Sequence, residues 1–107
     1  MSQKPETRLR SKIKTALEAG GCFATVIHGS VYQEAGLPDL CCVYRGRSLW
    51  IEVKLPGRKP RPAQDVMRKR LELAGATCGV ATSVPEALAI LAELDETIRI
   101  EGRRRVA

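Results

Sequence analysis

Two neighbouring segments of the chain have side chains that alternate between two faces. Asp39–Val43 and Leu49–Val53 are rich in apolar and β-branched residues, and a turn-like Arg45-Gly46 lies between them. Successive side chains of a strand point to opposite sides of a sheet, so this pattern predicts two β-strands joined in a hairpin. The apolar face consists of Leu40, Cys42, Leu49, Ile51 and Val53. We therefore expect that face to lie in the core.

The turn determines which residues of the two strands lie opposite each other. A two-residue loop at Arg45-Gly46 and the four-residue loop around it give the same register. In this register Asp39 lies opposite Glu52, and Lys54 follows on the same side. That side of the hairpin carries Asp39, Cys41, Val43, Ser48, Trp50, Glu52 and Lys54.

Two facing carboxylates are the first indication of chemistry. Directly opposed residues have Cβ atoms roughly 4.5–5.5 Å apart, and like charges placed so are destabilising. A hard cation such as Mg²⁺ or Mn²⁺ removes the repulsion because one or two carboxylates hold it together with water or phosphate oxygens. Lys54 would then orient an attacking water or neutralise charge on a phosphate. The alternative is an ordinary surface pair of Glu52 and Lys54, which contributes little to stability.

The rest of the chain alternates helices and strands. Apolar spacing predicts a helix from Pro5 to about Ala19, a second from Pro62 to Gly75, and a third capped by Ser83. The third helix would bury Ala87, Leu88, Leu91 and Leu94. Strands are predicted at Cys22–Ile27 and Ala76–Thr82. The order αβββαβα indicates an α/β fold with a central mixed sheet flanked by helices.

The length of 107 residues allows one domain, with a core of about residues 5–94. Residues 99–107 form a basic tail containing Arg103-Arg104-Arg105, either a flexible phosphate-binding arm or a frayed, solvated end. No apolar stretch predicts a membrane span or a secretory signal, so we expect a cytoplasmic protein.

Charge and cysteine content narrow the class of protein. The net charge is +6 and the pI about 9.5, as expected for a protein that binds nucleic acid. Only 4% of the residues are aromatic, which favours duplex or branched DNA over stacked single strands. The four cysteines lack C-x-x-C spacing and His28 is the only histidine, so we expect no zinc finger. The predicted DNA-binding residues are Arg58, Lys59, Arg61, Arg68 and Lys69. The alternative for the basic loop from Leu55 to Pro62 is a plain solvated connection.

Two helix residues are candidate neighbours of the carboxylates. Glu6 lies at the N-terminal end of the buried stripe of the first helix. Its carboxylate would either face the metal or interact favourably with the positive end of the helix dipole. Gln64 lies on the inward side of the second helix, near its start. Gln33, with Tyr32, is a candidate substrate contact in the connection before Asp39.

The motif Gly36-x-Pro38-Asp39, followed by Glu52-x-Lys54, resembles the PD-(D/E)XK nuclease signature. The closer resemblance is to the VRR-NUC family, virus-type replication-repair nucleases that include small stand-alone phage proteins; it covers most of residues 6–94. A phage-encoded member would act in the host cytoplasm. The chain departs from the family pattern at Arg61-Pro62-Ala63, where relatives often place Ser or Thr.

The resemblance implies a restriction-endonuclease-like core and metal-dependent hydrolysis of DNA phosphodiester bonds. Asp39, Glu52 and the Val53 backbone carbonyl would bind Mg²⁺ or Mn²⁺, with Glu6 assisting. Lys54 would position or activate the water, and Gln64 would lie beside the scissile phosphate.

Stand-alone members resemble Holliday junction resolvases, so the implied substrate is branched or four-way DNA. Because a four-way junction offers two equivalent cutting positions, we expect a homodimer, whose interface would use the third helix and Val31-Tyr32. The alternatives are a sequence-specific or nicking endonuclease on the same core and a catalytically inactive DNA-binding subunit.

Overall fold

The computed structural model describes residues 3–29 and 33–106, and it contains the seven predicted elements in the predicted order. The helices are α1 (Pro5–Ala19), α2 (Pro62–Leu73) and α3 (Val84–Val106). The strands are β1 (Phe23–Val26), β2 (Leu40–Tyr44), β3 (Arg47–Val53) and β4 (Thr77–Ala81). The predicted α/β class is confirmed. None of the helices in the described ranges is both long and apolar enough to cross a bilayer.

The four strands form one mixed sheet in the order β1-β2-β3-β4. The first three strands are antiparallel, whereas β3 and β4 are parallel and are connected through α2. Tyr44 pairs with Arg47 and Leu40 with Ile51, which confirms the predicted hairpin register. Arg45 and Gly46 both have positive φ, 49° and 82°, as a two-residue type I′ turn requires. This turn sets Asp39 opposite Glu52.

The hydrophobic core lies between one face of the sheet and the pair α1 and α3. The five predicted apolar residues of the hairpin are all fully buried there. Ile13 and Leu17 of α1, and Ala87, Leu91 and Leu94 of α3, complete this core. Gly79 faces α3 so closely that a Cβ atom would come within 2.5 Å of Ile90. One helix pair therefore covers the face of the sheet that carries no candidate chemistry.

Helix α2 lies on the opposite face. Alternate residues of β4 point away from Gly79, and there the Cys78 thiol contacts the backbone carbonyl of Arg68 in α2, with S and O 3.9 Å apart. Glu52 pairs with Val80 on this same side. The start of α2 is therefore close to the candidate site.

The end of the chain differs from its prediction. Helix α3 runs through residues 99–106, so this segment is neither a flexible arm nor a frayed end. Contacts beyond Leu94 hold the helix: Ile98 packs against the core, and Asp95 accepts a hydrogen bond from the Tyr44 hydroxyl over 2.7 Å. Leu88 was predicted to be buried but is 39% exposed, because it lies at the edge of the stripe that faces the sheet.

Candidate active site

The two carboxylates meet at the end of the hairpin farthest from its turn. Asp39 immediately precedes β2, and Glu52 is the last but one residue of β3. The backbone N–H of Val53 donates a hydrogen bond of 2.8 Å to Oδ2 of Asp39. This bond holds the aspartate side chain against the strand that carries Glu52.

Glu52 occupies an unusual position for a carboxylate. The residue is only 3% exposed, and its Oε2 atom is buried without a hydrogen-bond partner among the described residues. Burial is the largest cause that raises the pKa of Glu52, and the hydrogen bond and charge of Asp39 come next; together they raise this pKa to about 9. The charge of Glu6 adds to the rise, whereas the charge of Lys54 opposes it. Buried polar atoms are rarely left unpaired, so such an atom points to a functional role.

Lys54 is also largely withdrawn from solvent. Its side chain is 12% exposed, and its Nζ atom lies 4.0 Å from Oε1 of Glu52. The Lys54 backbone N–H donates to the carbonyl of Ala81 over 3.1 Å, which fixes the residue at the end of β3 beside β4. An exposed Glu–Lys surface pair is therefore ruled out, because both side chains are withdrawn from water.

The donor set fits a hard divalent cation. Mg²⁺ is commonly bound by one or two carboxylates while it keeps several waters, and Asp39 and Glu52 provide two. A bound cation would also pair the orphaned Oε2 of Glu52. Within residues 3–29 and 33–106, no three His, Cys, Asp or Glu side chains stand at metal-ligand spacing. Glu6 is near enough to affect Glu52 electrostatically, and its role as a ligand stays a prediction.

A cleft of about 400 Å³ opens beside Asp39. One wall is the connection between β1 and β2, including Gln33, Glu34 and Gly36, and the other is the start of α2, with Arg61 and Gln64. The structure thus brings Gln64, Gln33 and Asp39 to one cavity. Tyr32, a predicted substrate contact, and Val31, predicted with Tyr32 for the dimer interface, lie outside the described residues.

The side chain of Gln64 also stabilises the start of α2. Its Oε1 atom accepts a hydrogen bond of 2.7 Å from the backbone N–H of Arg61, and the residue is 7% exposed. A helix start needs acceptors for its free N–H groups, and Gln64 provides one without the Ser or Thr found in relatives. The carboxamide nitrogen keeps its donor capacity, and Gln64 lines the cleft.

The predicted DNA-binding residues divide into two groups. Arg58, Lys59 and Arg61 are exposed, and Arg61 lines the cleft; Lys69 is exposed on α2. Arg68 instead forms an ion pair with Asp65 on the same helix, with N and O 2.7 Å apart. Arg61 thus brings positive charge to the cleft beside Asp39, whereas part of the charge of Arg68 is neutralised.

Sequence reasoning missed how the cleft wall is attached. Gly36 has φ of 84°, and a Cβ atom there would lie 2.3 Å from the backbone carbonyl oxygen of Ala63. Glu34 on the same wall pairs with Arg70 of α2, with N and O 3.1 Å apart. Of the residues in these contacts, only Gly36 could have been singled out from the sequence, because a glycine just before Pro38-Asp39 indicates a backbone conformation with positive φ.

The sequence matches no protein-family model and no curated protein. Solved structures similar to the chain include the following two. One, described as "VRR_NUC domain", superposes with a TM-score of 0.70 at 26% identity, over 84% of this chain and 97% of the other. A second, a "VRR_NUC domain protein", has a TM-score of 0.68 at 16% identity, covers 87% and 89% of the two chains, and supports the fold. The predicted resemblance to VRR-NUC domains is therefore confirmed, and it indicates a nuclease of the PD-(D/E)XK type.

Proposed function

We propose that the protein is a metal-dependent, structure-selective DNA endonuclease that hydrolyses phosphodiester bonds in branched DNA, as a Holliday junction resolvase does. The observation that carries the proposal is the half-buried Asp39 beside the buried Glu52, whose Oε2 lacks a hydrogen-bond partner among the described residues. A protein that only bound DNA would gain nothing from two facing carboxylates, since they repel phosphate.

The residues divide the chemistry between them. Asp39, Glu52 and the Val53 backbone carbonyl would hold Mg²⁺ or Mn²⁺, which supplies Lewis-acid stabilisation of the phosphodiester when bound. Lys54, withdrawn from solvent beside Glu52, would orient the attacking water or stabilise charge that develops on the phosphate. Gln64 would donate its amide to the phosphate or the water, and Glu6 would add negative charge that strengthens cation binding.

Basic side chains beside the cleft would bind the phosphate backbone. Arg61 lines the cleft, Arg58 and Lys59 precede it in the same exposed loop, and Lys69 is exposed on α2. Contacts of this kind carry no sequence information, so binding would depend on backbone geometry and salt. This favours selection of a DNA structure over selection of a sequence.

Two cuts in a four-way junction require two sites, and a C2 homodimer would supply them. Exposed apolar side chains available for such an interface include Leu88 and Ile100 on α3, 39% and 40% exposed. Light scattering should give the mass of a dimer. A monomer at micromolar concentration would contradict this part of the proposal.

Cleavage of labelled linear, flap and four-way DNAs, with and without Mg²⁺, tests the proposed function. The wild type should nick the four-way junction in preference to the linear duplex, and only with metal. Glu52→Ala should lose cleavage, whereas Glu93→Ala, which removes an exposed carboxylate from α3, should retain it. Equal cleavage of all DNAs would contradict structure selectivity, and unchanged cleavage by Glu52→Ala would contradict the catalytic assignment.

A further inference from the structure

A second basic surface lies at the opposite end of the hairpin from the carboxylates. The hairpin turn and the last turns of α3 bring together six arginines with three carboxylates, a surplus of three positive charges. We call this surface the arginine end: Arg45, Arg47, Arg99, Arg103, Arg104 and Arg105, with Asp95, Glu96 and Glu101. Ion pairs join the hairpin turn to α3.

These contacts hold the arginine end in place. Asp95 accepts hydrogen bonds from the Tyr44 hydroxyl over 2.7 Å and from Arg45 over 3.3 Å, and it also pairs with Arg99 over 2.9 Å. Arg47 pairs with Glu101 of α3. Because the helix is docked on the hairpin, its final arginines project from a fixed support. Such a support lowers the entropy lost when they bind a ligand.

Stabilisation of the helix end does not account for this amount of charge. Cations at a helix C-terminus interact with a dipole equivalent to roughly half an elementary charge. Three successive arginines, Arg103 to Arg105, occupy the last turn. Arg104 and Arg105 are exposed, and no ion pair involves either of them in the described part of the chain. Their charges are therefore available to an external polyanion.

The arginine end is separate from the cleft. From Arg47 to Glu52 the strand advances by five residues, about 17 Å at roughly 3.3 Å per residue. Helix α3 also lies on the face of the sheet opposite to α2 and the cleft. We propose that the arginine end is a second binding surface for the phosphate backbone of duplex DNA, and that it contacts a part of the substrate different from the part held in the cleft. This inference rests on the proposed DNA substrate.

The test compares two variants that remove the same charge. Arg104→Gln/Arg105→Gln removes two charges from the arginine end, and Arg8→Gln/Lys12→Gln removes two from exposed positions of α1. Binding of a fluorescent four-way junction is measured in EDTA between 50 and 200 mM salt. Each lost phosphate contact reduces the slope of log K against log salt by about 0.9, so two contacts reduce it by about 1.8.

The arginine variant should bind at least about tenfold more weakly at 50 mM salt, with the lower slope, and the α1 variant should bind as the wild type does. Unchanged affinity of the arginine variant, or equal weakening of both variants, would overturn the inference. If Glu52→Ala loses cleavage but the arginine variant binds as the wild type does, the inference about the arginine end is overturned and the proposed function is not. Persistent cleavage by Glu52→Ala would instead count against the proposed function.

Discussion

Oδ2 of Asp39 accepts a hydrogen bond of 2.8 Å from the backbone N–H of Val53, the residue that follows Glu52. This bond fixes one carboxylate beside another that is buried and lacks a partner for Oε2. The arrangement is pre-organised for a cation, but it is unfavourable without one, because burial and Asp39 both oppose the charge on Glu52.

The metal-free protein should therefore lose stability as the pH rises. The pKa of Glu52 is raised from an ordinary 4.5 to about 9, so the folded state binds a proton that the unfolded state releases. The stability that this proton provides is fully present below about pH 4.5 and is lost as the pH approaches 9. Glu52→Gln keeps the shape without the ionisation. In EDTA at pH 8 it should raise Tm by at least about 4 °C, the shift that corresponds to about 1 kcal/mol in a domain of this size.

Thermal unfolding from pH 5 to 9 measures this effect, with the exposed Glu93→Gln as the control. The difference in Tm between Glu52→Gln and the wild type should grow with pH, and the control should show no such trend. A Glu52→Gln variant that is less stable than the wild type at pH 8 would show that the carboxylate is not strained.

Addition of Mg²⁺ should stabilise the wild type because a ligand that binds only the folded state raises the free energy of unfolding. At a concentration one hundred times Kd the gain is about 2.7 kcal/mol. Asp39→Asn should abolish most of the rise in Tm, since it removes one of the two carboxylates. Equal shifts in the variant and the wild type would place the cation elsewhere.

The wall of the cleft should depend on Gly36. Both Gly36 and Gly57 have φ of 84°, but a Cβ atom at Gly57 meets nothing within 4 Å, whereas at Gly36 it meets the Ala63 carbonyl at 2.3 Å. Gly57→Ala thus measures the backbone cost alone, about 1–2 kcal/mol. Gly36→Ala should cost at least about 1 kcal/mol more in urea unfolding, because the backbone must move, and should also slow cleavage. Equal costs at the two positions would contradict the close approach.

The hairpin could be predicted from sequence because its geometry is local. A two-residue turn and the period of two fix every pair from Tyr44 and Arg47 outward, so the position of Asp39 relative to Glu52 followed from spacing. The apolar face of the hairpin followed from the same period.

Contacts between distant segments could not be predicted in this way. The C-terminal part of α3 is held by contacts with the hairpin. Tyr44 donates a hydrogen bond to Asp95 and Arg47 forms an ion pair with Glu101, in each case some 50 residues further along the chain. Ile98 continues the apolar stripe of Leu91 and Leu94, but residues 99–105 contain only one apolar side chain, Ile100, so no stripe predicts that the helix extends further. Gly36 likewise gave no indication of which backbone it would approach, because its contact with Ala63 forms only when α2 packs on the sheet.

Single-turnover cleavage of a labelled four-way junction by wild type, Asp39→Asn and Glu52→Gln, at saturating enzyme with Mg²⁺, tests the catalytic site most directly. Both variants keep the shape of the site and remove one carboxylate charge each. The wild-type rate should depend on Mg²⁺, and each variant should cleave at least about 100-fold more slowly, as expected when a ligand of the catalytic ion is lost. A variant that cleaves at the wild-type rate, or wild-type cleavage that persists in EDTA, would contradict a metal-dependent site at Asp39 and Glu52.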